Sequence, residues 1–233
     1  MEQKYFNFPI QLLHGFLIDE AHCERCLRNI LHYAIYHRAR SHESGEIGDR
    51  IKDAADYLSV CNITIKTIKQ RGEQLMDSIP ERPPMVGIGT KIFWDFRNNE
   101  KSDFEKVCLL AFLALKSINL PQPYGKADNN FMFARMAGFP VRFKNRDWQK
   151  ELPEKLQEYT TRWKTTKIIE ELELNWGLVY YAHYTRGFYF SFSMTLDDLV
   201  LQVEKRRKSK RQKDLKIKKK EARERVIRAL NGQ

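Results

Sequence analysis

Within one short stretch the chain places Asn62, Thr64, Lys66, Thr67, Lys69, Gln70 and Arg71. These side chains hydrogen-bond phosphates and base edges, and the lysines and arginine add the charge that holds a polyanion. What positions them is an apolar pattern: Ala55, Leu58, Val60, Ile65 and Ile68 recur where two helices crossing at a steep angle would face each other and a third helix. Ser59 to Asn62 supplies short polar residues for the corner, and Asn62 or Thr64 is placed to cap the second helix. A merely solvated helix face would carry the same polar types, so the stretch defines a candidate and its plain alternative together.

Other chemistry is sparse. His22, Cys23 and Cys26 form the one metal-like cluster, but a structural zinc site needs four converging ligands and a second pair is missing. Cys23 and Cys26 lie one helical turn apart on an apolar face and read as buried thiols. The stretch MVGIGT lacks the lysine-serine ending of a phosphate loop. Glu170, Glu171 and Glu173 share a helix face with Lys167 in reach and read as solvated charge. No serine or cysteine has an identifiable base. The expectation is a binding protein, not an enzyme, with no metal and no cofactor.

The net charge of +11 favours a polyanionic partner, and its distribution matters more than its size. From residue 204 to the end there are 14 Lys or Arg against 4 Asp or Glu, so the preceding part is nearly neutral. Arg206, Arg207, Lys210 and Arg211 begin this basic tail and are candidate phosphate contacts, to DNA or to RNA alike. The longest apolar run, 107–115, is far below the roughly 20 residues that span a bilayer. The first fifteen residues lack the pattern of a secretory leader. Four unpatterned cysteines suit a reducing compartment, so a cytoplasmic protein with no membrane partner is expected.

With 42% hydrophobic residues, the 233-residue chain can bury one large core or two smaller ones. Residues 1–15 are an apolar lead-in that fits a strand or a short helix. A long helix follows from about Asp19, its plausible cap, to Arg40. The polar corner helix, ending near Ile79, is followed by two apolar runs, 85–88 and 91–96, flanking Gly89-Thr90, a hairpin signal. Residues 97–103 form a charged linker. Beyond it, Ser102 or Asp103 can cap an almost wholly apolar helix, a second helix spans about 127–137 and stops at Gly138, and a third helical region begins at Pro153. The segment between Gly138 and Leu152 is long for a corner, and Thr160-Thr161 is the alternative. Arg162, Lys164, Thr165 and Lys167 would form the second polar face. Aromatic runs on either side of residues 185–187 predict another hairpin, with Arg186 at its tip as a phosphate or minor-groove contact.

The stretch 51–71, IKDAADYLSVCNITIKTIKQR, resembles a helix-turn-helix, except that Ser59 stands where the family usually has glycine. Supporting helix, helix-turn-helix and hairpin in that order resemble a winged helix, and the second half resembles it again. The resemblance implies a mainly α fold with small β-hairpin wings (α+β). It comprises a winged helix-turn-helix domain at 1–100, a second winged-helix-like domain at 101–196, and a basic C-terminal helix or tail at 197–233. The layout resembles that of plasmid-type replication initiators, and a transcriptional regulator fits equally. The implied partner is double-stranded DNA, and a homodimer fits as well. The alternative is a helical protein-interaction module, built on the aromatic hairpin and the helix at 103–119, whose basic tail alone meets nucleic acid.

Overall fold

A computed structural model describes residues 4–41, 44–119, 122–182 and 187–231. The described chain is mainly helical, with two small antiparallel sheets. The lead-in is both a strand and a helical turn. Strand β1 (Tyr5–Pro9) buries Phe6 and Phe8 on one face, and a 3-10 turn (Ile10–Leu13) follows. Helix α1 (Glu20–Arg40) starts where expected, because the Asp19 carboxylate accepts from the His22 amide at 2.8 Å. Its buried stripe includes Cys23, Cys26, Leu27, Ile30, Leu31 and Ala34, each large aliphatic member contributing about 1.5–3 kcal/mol.

Helices α2 (Ile47–Tyr57) and α3 (Ile65–Asp77) pack on α1 and on each other. Ala55, Leu58, Val60 and Ile68 are buried at the junction, and Ile65 is half-buried. The corner closes as a Schellman motif, with the Val60 amide donating to the Ala55 carbonyl at 2.9 Å and the Ser59 amide to the Asp56 carbonyl at 3.0 Å. Such a motif requires a left-handed residue, and Ser59 adopts φ 58°. Asn62 is left-handed too, at φ 57°.

The hairpin expected at 85–96 is not formed. Strand β2 (Met85–Gly89) pairs instead with β1, from Tyr5 opposite Gly89 to Pro9 opposite Met85. Thr90–Asn98 is a helix, α4, which buries Phe93 against Phe6. The strand that β2 needed lay about eighty residues away in sequence, and a five-residue apolar run cannot be told from a short buried helix by periodicity.

In the second half, α5 (Asp103–Asn119) opens with a capping box in which Ser102 and Glu105 exchange hydrogen bonds. Its apolar segment, Val107 through Leu115, is buried all round. Strand β3 (Gly125–Ala127) precedes α6 (Asn129–Met136), which ends at Gly138 with φ 85° in a second Schellman motif. Residues 139–153 hold only a 3-10 turn, Trp148–Glu151, and Pro153 caps a four-residue helix, α7 (Glu154–Gln157). A further 3-10 turn, Glu158–Thr160, precedes Thr161. Thr161 caps α8 (Arg162–Asn175) by accepting from the Lys164 amide at 3.4 Å. Strands β4 (Val179–Tyr181) and β5 (Phe188–Ser191) form an antiparallel pair, and β3 joins on the far side of β5 to give the order β3-β5-β4.

Helix α9 (Leu196–Asn231) is begun by Thr195, which accepts from the Asp198 amide at 3.2 Å. Its 36 residues extend about 54 Å. Leu199 and Val203 bury against Tyr189, whereas Leu215 and Ile217 are exposed.

One continuous hydrophobic core includes Phe6 and Phe93 from the first half together with Phe133 and Phe190 from the second. Helix α5 packs on β2, Lys106 of α5 pairs with Glu20 of α1, and the His14 ring hydrogen-bonds the Ala137 carbonyl at 3.2 Å. The core thus runs unbroken across the charged 97–103 segment.

Candidate nucleic-acid interface

Helix α3 is fixed from behind. Gly72 faces Tyr36 of α1 with no room for a side chain, the Tyr36 hydroxyl donates to Glu73 at 3.0 Å, and Ile68 and Leu75 are buried. The opposite face presents Lys66, Thr67, Lys69 and Gln70 to solvent, and Asn62 and Thr64 are exposed at the preceding corner. Two expectations need correction. Neither Asn62 nor Thr64 caps α3, for the helix begins at Thr64 without a side-chain hydrogen bond, leaving its first-turn amides open. Arg71 is held against α1, its guanidinium donating to Asn29 at 3.3 and 3.4 Å and to Gln74 at 3.2 Å.

The second face is less uniform. Arg162 is exposed, and Lys167 lies 3.7 Å from the centre of the Trp163 ring, itself 65% exposed. Lys164 is half-buried and pairs with Glu158 at 3.4 Å. Thr165 does not belong to the face: it is 6% exposed and donates to the Tyr159 carbonyl at 3.0 Å. Its place in α8 turns it inward beside Ile168 and Ile169, a phase that the irregular apolar pattern did not reveal. The C-terminal part of α8 carries Glu170, Glu171 and Glu173, and the carboxyl of Glu173 is pushed up by burial and by Glu170. Arg186 lies outside the described residues.

On α9, Arg206, Lys210 and Arg211 are exposed, and Arg207 pairs with Glu204 at 2.7 Å. Glu204 in turn accepts from the Tyr181 hydroxyl at 3.1 Å, which ties the root of the tail to β4.

The sequence reading missed three residues. A pocket of about 350 Å³ opens beside the start of α3, walled by Arg28 and His32 of α1, Thr64 and Thr67, and Trp94 and Arg97 of α4. Arg28 and His32 stand four residues apart on α1, a spacing visible in sequence, but Arg97 reaches the pocket only because α4 extends to Asn98, through the strand expected at 91–96 and into the linker expected from 97.

Among the described residues no group of three or more His, Cys, Asp or Glu converges as a metal site. Cys23 and Cys26 are buried, and burial pushes their thiols up to about 11 and about 12. No described helix is long and apolar enough to cross a membrane.

Comparison with protein-family models, with curated proteins and with solved structures finds no match. The functional reading therefore stands on the geometry of this chain.

Proposed function

We propose that the chain binds double-stranded DNA, with α3 entering a major groove and Lys66, Thr67 and Gln70 meeting base edges and phosphates. The observation that carries this reading is the pairing of a rigidly backed helix with an outward polar face. Helix α3 has 13 residues, about 20 Å, and a B-form major groove about 12 Å wide admits it. Backing by Tyr36 and Ile68 supplies the rigidity that base-edge hydrogen bonds require.

Tandem winged helices are part of the same proposal. The second half supports it through its order α5, β3, α6, α7, α8, β4, β5 and its sheet order β3-β5-β4, in which an early strand flanks a C-terminal hairpin. The first half departs from it: β1 and β2 enclose the helices where a wing would follow them, and α4 takes the wing's place. The basic face of α9 adds sequence-independent phosphate contacts. A replication initiator and a transcriptional regulator would both use such a surface, and neither requires catalysis.

A second reading has its own support. The surface expected for it is largely internal, since Val107–Leu115 and Phe188–Phe190 are buried, but Trp163 and Leu174 on α8 are 65% and 80% exposed, a composition suited to a protein partner, with α9 alone meeting DNA or RNA. Affinity selection from a random duplex pool separates the two. Enrichment of a common site supports the first, and retention of all sequences alike supports the second.

A further inference from the structure

A cationic pocket opens beside α3, sharing Asn62, Thr64 and Thr67 with the candidate reading face but adding Arg28, His32 and Arg97 from α1 and α4. None of its lining residues is acidic. Arg28 and Arg97 reach it from different helices, and Arg97 is steadied by the Trp94 ring, 5.3 Å from its guanidinium carbon. Arg28 has one loose ion pair, with Glu24 at 3.8 Å, and both side chains are largely exposed. His32 lines the same pocket, and its Nδ1 is buried and has no hydrogen-bond partner among the described residues. The uncapped first turn of α3 adds backbone N–H groups at the same mouth, where a helix end favours negative charge.

We propose that this pocket is a phosphate-binding site in which Arg28 and Arg97 grip the oxygens of one phosphate group and His32 hydrogen-bonds it from the floor. The group arrives either as a backbone phosphate of a duplex lying along α3 or on a phosphorylated small molecule. The site itself needs only the phosphate. Arginine suits it because its planar fork of donors matches phosphate oxygens. The groups facing His32 are Arg28 on its own helix, Arg71 on α3 and Arg97 on α4, and together with burial they hold its pKa below the usual histidine range. A bound dianion offsets that positive field, so phosphate binding raises the pKa of His32 and favours its protonation.

The test is titration of the full chain with inorganic phosphate at constant ionic strength, read by the His32 imidazole and the amides of residues 65–67 in NMR spectra. Saturable shifts at these positions are expected, with the His32 pKa rising. In R28Q/R97Q, both altered side chains being exposed, the fold should persist and phosphate should bind about tenfold or more weakly. Unmoved His32 signals, or equal shifts in wild type and variant, would overturn the proposal.

Duplex DNA and adenosine monophosphate then distinguish the sources. Displacement of phosphate by duplex assigns the site to the DNA backbone, and tighter binding of the nucleotide without displacement by duplex assigns it to a small ligand. Duplex binding that persists while His32 ignores phosphate would sink the pocket and leave the DNA reading standing. Phosphate binding in a chain that binds no duplex would do the reverse.

Discussion

Gly72 of α3 lies directly against Tyr36 of α1: a Cβ built on the glycine would sit 2.4 Å from the tyrosine Cβ. That contact sets how closely the two helices approach, and so the height at which α3 presents its polar face. Gly72→Ala must push the helices apart. We expect a loss of about 1–3 kcal/mol, seen as a fall of several degrees in thermal denaturation. Duplex affinity should fall as well, although no polar residue has changed. A variant as stable as wild type would show that α3 is not clamped there.

The corner before α3 stores the opposite kind of error. Ser59 holds φ 58°, where an L residue costs about 1–2 kcal/mol and glycine almost nothing. Ser59→Gly should therefore stabilise the chain by roughly 0.5–1 kcal/mol after the added freedom of the unfolded glycine is subtracted. Ser59→Ala should give no such gain, which separates relief of strain from loss of the hydroxyl in the same melting experiment.

These two residues also mark what was legible in the sequence. The α2–α3 corner could be read because its constraint is local: Ala55, Leu58, Val60 and Ile68 lie within fourteen residues and are all buried where the pattern placed them. The wing could not. Met85–Gly89 is an ordinary apolar run whose partner, Tyr5–Pro9, is distant in the chain, and Ile92, Phe93, Trp94 and Phe96 suit a strand as well as the helix they form. Strand β3 carries no signal of its own, being three residues, Gly-Lys-Ala, that become a strand only through Phe188 to Phe190. The exposure of Lys66, Thr67 and Gln70 was legible. The same expectation failed at Arg71 and Thr165, whose partners Asn29 and Tyr159 are supplied by the packed fold.

Acid should weaken the fold through two histidines on α1. Burial, followed by the charges of Arg28, Arg71 and Arg97, lowers the pKa of His32; burial, followed by Arg40, lowers that of His37. Below the usual histidine value near 6.5 the unfolded chain binds protons that the native chain refuses, so stability is full above that pH and declines as pH falls. Denaturant midpoints measured from pH 7.5 to 5 should fall with pH in wild type and less steeply in His32→Gln. A flat profile would contradict the burial of both rings.

The tail should contribute strength without discrimination. A chain ending after Ser209 keeps the Tyr181–Glu204 and Glu204–Arg207 contacts but loses most of the basic run. Its affinity for every duplex should fall in parallel, and the slope of log affinity against log salt should flatten by about 0.9 for each phosphate contact removed. A changed ratio between specific and random duplexes would show that α9 reads sequence.

The most direct measurement is selection from a random duplex pool by the full chain, with the enriched site then measured against random DNA for wild type and for Lys66→Ala/Thr67→Ala. Both side chains are exposed, so the variant should melt with wild type. If α3 reads DNA, a common site is enriched, and the double substitution reduces the specific-to-random ratio by about tenfold or more, as expected when about 1–3 kcal/mol of discrimination is lost per contact. If no site is enriched, or the ratio is the same in both proteins, α3 is a packing element and the DNA-reading assignment is wrong.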